Sequence, residues 1–225
     1  GRIASLLDVH TVDGNMQEFG GNVSVGLISS KAFIEGPIVP GKASFMVAAR
    51  RTYIDLFFPL FKALKGDTMY FYDVNAKANW IVNENNRLFL SVFSGRDVFG
   101  MHNKEEMDID MDVDFANNTQ SLRWNHVFSP KLFANVTVLN SLYDYGMDLF
   151  YSATDIDFKS HLNSQSAKAD FSWFASSRNT VGFGVQGSYF TISPAELSPK
   201  SEGIFSEYSY PKTHAAEAGH TWRTR

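Results

Sequence analysis

Residues 70–99, YFYDVNAKANWIVNENNRLFLSVFSGRDVF, decide the fold class. Tyr72, Val74, Ala76, Ala78, Trp80 and Val82 alternate with Asp73, Asn75, Lys77 and Asn79, the period of a strand with one apolar and one polar face. The Asn-Glu-Asn-Asn stretch at 83–86 has tight-turn chemistry, and 88–94 follows as a second strand, apolar on both faces. The same alternation returns at Leu122, Trp124, His126 and Phe128, at Ala167, Ala169, Phe171 and Trp173, and at Val181, Phe183, Val185 and Tyr189.

Further tight turns lie at 40–42, 129–131 and 176–179, and with 83–86 they recur about every 45 residues. Long polar connections separate them, at 55–68, 100–118, 148–164 and 194–213. Short turns on one rim and long loops on the other are the signature of an up-and-down membrane barrel. A propeller shares the period, but a blade needs four short strands where each period here holds two strands of about 10–13 residues. A soluble sandwich shares the alternation, but hairpin loops there run two to five residues. Clustered aromatics at the strand ends, among them Tyr53, Phe57, Phe58, Tyr70, Phe128 and Phe133, fit interfacial girdles better. The expected fold is therefore all-β: an antiparallel up-and-down transmembrane barrel segment.

Composition removes several functions. The 225 residues contain no cysteine, so disulfide scaffolds, thiolate metal sites and cysteine nucleophiles are excluded. A net charge of −4 with no basic run argues against nucleic acid. With 20 Phe, 9 Tyr and 4 Trp the chain is too aromatic to be disordered, and no apolar run is long enough for a membrane-crossing helix. The opening Gly1-Arg2 carries no initiator Met, and the chain reads as a piece of something longer.

Candidate chemistry is sparse. Asp108, Asp110, Asp112 and Asp114 share one face of a strand, opposite Met107, Ile109, Met111 and Val113. Hard cations favour carboxylate sets, but same-face neighbours nearly 7 Å apart cannot close on one ion, so a solvated strand extension is expected. The histidines at 10, 102, 126, 161, 214 and 220 lack zinc spacings, and His126 belongs with Trp124 and Phe128 near an interface. No nucleophile elbow or Ser/His/Asp constellation stands out, so no enzyme, cofactor or metal is expected. Gly182, Gly184 and Gly187 sit inside an alternating strand rather than before a helix, which makes them low-bulk positions and not a phosphate loop. Of Arg50 and Arg51, adjacent in sequence, at most one faces the lumen. Arg50 and the four aspartates are the candidate extracellular ligand-facing residues.

Several segments together resemble TonB-dependent outer-membrane transporters. Residues 1–15, GRIASLLDVHTVDGN, resemble the end of that family's plug domain. EFGGNVSVGLISSKAFIEGPI (18–38) and ASFMVAARRTYIDLFF (43–58) resemble its first barrel strands. Residues 70–80, 87–99 and 121–133 follow in the family's order. The resemblance is to the subgroup bearing an N-terminal carboxypeptidase-regulatory-like domain. It implies a plug end at 1–15 and the N-terminal part of a transmembrane barrel at 16–225, about nine or ten of roughly 22 strands, open as a fragment. It further implies an importer of a bulky nutrient (siderophore, cobalamin, glycan or peptide) in the outer membrane of a Gram-negative bacterium. Its partners would be outer-membrane lipid, the TonB energising complex through a preceding segment, and a surface lipoprotein. The alternatives are a small outer-membrane barrel with a structural or adhesive role, and a soluble β-sandwich interaction module.

The C-terminal stretch HAAEAG (214–219) resembles a family strand, but His220-Thr-Trp-Arg-Thr-Arg225 breaks the pattern. One legal coding of those six residues, shifted by two bases, gives His-Leu-Glu-Asp-Glu, close to the family's continuation. On that reading the chain is a disrupted frame, and residues beyond Gly219 should have no packed role.

Overall fold

The computed structural model describes residues 11–103, 109–151, 154–199 and 208–224. They form one eleven-stranded antiparallel sheet. Its strands are β1 (Gly20–Val25), β2 (Ser29–Val39), β3 (Ala43–Thr52), β4 (Thr68–Asn83), β5 (Asn86–Asn103) and β6 (Ile109–Ser129), followed by β7 (Leu132–Tyr151), β8 (Thr154–Ser176), β9 (Asn179–Pro199), β10 (Tyr208–Ser209) and β11 (Thr213–Thr224). Strands β1 to β10 neighbour one another in chain order, and β11 pairs with β9 beside the two-residue β10. The tenth place in the sheet is thus shared by two pieces. The path runs open from β1 to the β10/β11 place.

The four turns expected from sequence join β2 to β3, β4 to β5, β6 to β7 and β8 to β9, so all lie on one rim. Three of those hairpins are stitched to the next by a bond from a strand amide to a turn carbonyl: Ile81 to Lys42 (2.7 Å), Val127 to Asn85 (2.9 Å) and Phe174 to Lys131 (2.8 Å). The donors stand at or next to register shifts beside the following turn, at Ile81/Asn83, Val127/Ser129 and Phe174/Ser176. A bulge leaves an amide outside its own ladder, and here the neighbouring turn accepts it.

The opposite rim corrects the sequence reading. The expected connections at 100–118 and 148–164 are mostly strand: Met101 pairs with Met111, and Asp148 with both Asp112 and Asp157. Strands β6 and β8 accordingly run 21 and 23 residues, not about 10–13. Polar content misled because these extensions keep the alternation with its polarity exchanged. Residues 220–224 also depart from expectation. They continue the ladder, with His220 opposite Val185 and Trp222 opposite Phe183, the two rings of the latter pair 6.4 Å apart.

Register places the two faces. Asn75, Lys77, Ser91, Ser121, Arg123 and Gln186, from four strands, line one cavity, so they occupy the concave face. Val74, Trp80, Leu90, Leu122, Val138, Phe183 and Val185 are in the opposite phase and exposed on the convex face. Leu88 to Ser94, apolar on both sides in sequence, divides in the same way: Phe89 turns inward and is buried, and Leu90 turns outward. Measured up from the turns, the convex apolar band is about nine residues tall, as residues 74–82 illustrate, matching the 9–11 residues of a tilted membrane-crossing strand. At its lower edge His126 packs between Trp124 and Phe128, with centroids 5.0 and 4.2 Å away, and bonds Asn86 Oδ1 at 2.8 Å.

Phe183 stacks on Phe171 at 5.2 Å on the convex face, whereas Gln186 lines the concavity. In the complete protein folded into lipid vesicles, Phe183→Lys should lower unfolding free energy by about 2–4 kcal/mol and Gln186→Lys by far less, measured by denaturant titration. Equal losses would contradict the face assignment.

Candidate functional site

The concavity has two tiers of different chemistry. The lower tier, level with the convex apolar band, is a polar cavity of about 580 Å³. Its chemistry centres on Phe89, whose ring lies under Arg123 (4.2 Å), Arg87 (4.8 Å) and Lys77 (5.8 Å). An aromatic face holds such cations without neutralising them. Asp13 supplies charge, reaching Lys77 at 2.7 Å and Arg87 at 3.1 Å, while Lys168 pairs with Asp170 at 2.9 Å.

Asp13 belongs to the segment that precedes β1, and that segment is fastened to the inside of the wall. Ser44 Oγ donates to the Gly14 carbonyl (2.6 Å) and accepts from Asn79 Nδ2 (2.6 Å), both side chains being buried. Asn79 Oδ1 accepts in turn from Arg87 at 3.0 Å. Glu35 receives the Asn15 amide, Lys77 Nζ donates to the Thr11 carbonyl, and the Gly41 amide donates to Met16. Asn15 Oδ1 caps the bend by accepting from Gln17 and Glu18. Gly14 approaches the Phe45 carbonyl so closely that any Cβ would collide with it. A run of Asp-Gly-Asn is thus needed at 13–15 by three separate contacts.

The upper tier stands above the band, and there the faces exchange character. The concave side presents Phe99, Met111, Val113, Phe115, Tyr145, Met147, Phe158, Leu162 and Ile192. Tyr145 joins Phe115 (5.0 Å) and Phe158 (5.5 Å) in one aromatic row. Charges lie outside: Arg96 pairs with Asp114 at 3.0 Å, His102 Nε2 lies 3.4 Å from both Asp110 and Asp112, and His161 contacts Asp144. Asp97, with the Arg50–Asp73 pair lower down, is a charge on the concave side. A wall immersed in lipid turns apolar side chains outward, and one standing in water turns them inward.

The candidate ligand-facing residues divide accordingly. Arg50 is on the concave face, bound to Asp73 through Nε (2.8 Å) and Nη2 (2.7 Å). Asp110, Asp112 and Asp114 are on the convex face, and Asp108 lies outside the described residues, as does His10. Arg51, in the other phase, lies over Tyr70 at 5.3 Å. Among the described residues no group of three or more His, Asp or Glu side chains is placed to hold a metal ion. Sequence reasoning missed the Asp13–Lys77–Arg87 node. Its signal was the odd placing of three cations at 77, 87 and 123 in polar phases of successive strands.

No protein-family model and no curated protein matches the sequence. Solved structures do. The ferric yersiniabactin uptake receptor FyuA of Yersinia pestis superposes with a TM-score of 0.57 at 11% identity, covering 87% of this chain and 34% of that one. BauA, the ferric preacinetobactin receptor of Acinetobacter baumannii, gives 0.56 at 11% identity, with 92% and 37% covered. The ferric-catecholate import receptor Fiu of Escherichia coli K12 gives 0.52 at 6% identity, with 87% and 43% covered. The likeness is one of fold. The chain spans roughly a third to two-fifths of these receptors' length, and its sheet is similar to part of theirs.

Ser44 tests the fastening of the N-terminal segment. Ser44→Ala leaves the Gly14 carbonyl and the Asn79 amide buried without partners, a cost of about 1–3 kcal/mol. Hydrogen exchange at the Asn15 and Gly41 amides should accelerate about tenfold or more in that variant and stay unchanged in Ser91→Ala.

Proposed function

We propose that this chain is part of a TonB-dependent importer of the Gram-negative outer membrane. Residues 1–15 would end its plug and residues 16–225 would open its barrel. The observation that carries this reading is the passage of residues 11–16 along the inner wall, clamped by Asp13 and Ser44, directly before the first strand. A chain that enters a barrel from its own lumen needs such an anchor, and a free-standing small barrel or a sandwich does not. The sequence resemblance and the shared fold with three ferric-chelate receptors support the same reading.

The work of such a protein is binding and passage. Ligand arrives at the upper tier, and force transmitted through TonB from the inner membrane displaces plug to open the polar lower tier. The ferric chelates named for the neighbours extend to this chain only as one class among siderophores, cobalamins, glycans and peptides. A surface lipoprotein over the raised wall is a further partner the resemblance suggests.

Expression of the complete gene in an outer-membrane-competent host should place the protein in the outer-membrane fraction. Uptake of one member of a panel (ferric siderophores, cyanocobalamin, oligosaccharides and peptides) should rise above background and return to it when TonB is deleted. Recovery of the complete protein in buffer without detergent would overturn the proposal.

A further inference from the structure

We propose that the segment between β3 and β4 is a membrane-surface anchor, seated in the headgroup boundary of the outer leaflet. Residues 53–67, YIDLFFPLFKALKGD, overlap the connection expected to be polar at 55–68 but are mostly apolar. Two short 3-10 turns, Ile54–Leu60 and Lys62–Leu64, hold them compact. Leu56, Leu60 and Phe61 are nevertheless 71%, 76% and 58% exposed. Lys62 and Lys65 are exposed among them, and residues 56–66 include no Asp or Glu.

Height above the turns identifies the occupant. Strands β1 to β3 stop where the convex apolar band ends, whereas β5 to β9 continue about ten residues further up. The segment therefore leaves the sheet at the upper border of the band, beside Arg51 and Tyr70, and climbs from there to the wall of β5, where Asp67 Oδ1 accepts from the His102 amide at 2.9 Å. Tyr53 staples it to the β1–β2 connection: its amide bonds the Ile28 carbonyl at 2.9 Å and its hydroxyl donates to the Gly26 carbonyl at 2.6 Å. That staple adds exposed Leu27 and Ile28 to the patch. Exposed leucines and phenylalanine with interspersed lysines, continuous with a lipid-facing band, match an interfacial lipid surface with anionic headgroups.

The inference rests on the convex band being in the bilayer, and the test separates the two. The sequence has no cysteine of its own. Nitroxide labels are placed singly, by Leu60→Cys, Phe61→Cys, Lys62→Cys and Val185→Cys, in the complete protein reconstituted into phosphatidylethanolamine–phosphatidylglycerol vesicles. Collision with oxygen is then compared with collision with a neutral nickel chelate. Labels at 60 and 61 should favour oxygen roughly threefold or more over the label at 62, approaching the value at 185. A nickel-dominated label at 60 and 61 overturns the anchor, and so does protection from both reagents, which means that protein covers the segment. A nickel-dominated label at 185 overturns the membrane reading itself. Leu56→Cys repeats the measurement should either neighbouring variant fail to fold.

Discussion

The proposed place in a membrane requires a sheet that satisfies every backbone amide and carbonyl within itself, and the rest of this structure is arranged around such a sheet. Antiparallel ladders link β1 through β9; their irregularities stand beside the tight turns, apart from one in the upper part of the β8–β9 pair between Lys159 and His161. At the turn rim, the amide displaced by a bulge is taken up by the preceding turn. Side-chain choice is then free to follow the solvent, because the ladder leaves the backbone nothing else to seek.

That freedom explains the exchange of polarity part-way up the strands. Below it, Val74 and Leu122 point out while Asn75 and Arg123 point in; above it, Asp114 points out while Phe115 points in. The two zones have the same backbone and opposite surroundings. A polar lumen fits the lower zone because a docked segment with its own charges, Asp13 foremost, enters there. The aromatic row Phe115–Tyr145–Phe158 gives the upper zone an apolar inner surface, its rings packed on one another across three strands.

Much of this was legible from the residues alone. Alternation at 72–82 and 181–189 and turn chemistry at four positions fix strand order, rim and faces, since each is a local property with a period of two. The upper extensions were not legible. At 109–115 and 155–161 the alternation persists, but its polar members are aspartates, histidine and lysine, which resemble loop composition when counted by window. The Asp13–Lys77–Arg87 node was hidden for another reason: its members lie far apart in sequence and are joined only by register. Arg50 illustrates the limit of pattern reading. Adjacency to Arg51 establishes only that at most one of the two faces the lumen, whereas its partner Asp73 depended on the exact pairing of β3 with β4. The ladder through Trp222 likewise could not be read from residues that break a family pattern.

The stitching of each turn to the next hairpin has a consequence for the size of the whole. Ala43, Trp80, Leu88, Trp124, Val136, Ala169 and Val185 lie in one row of pairs. Ala43 stands just above its turn, while Val185 stands well above its own. The row therefore climbs by about one residue per strand, the stagger at which sheets close with strands inclined roughly 35–45° to the axis. Inclination and strand number together set a cylinder's radius. The spacing between bulge and turn thus fixes the inclination, and the number of strands that complete the wall is left to set its curvature.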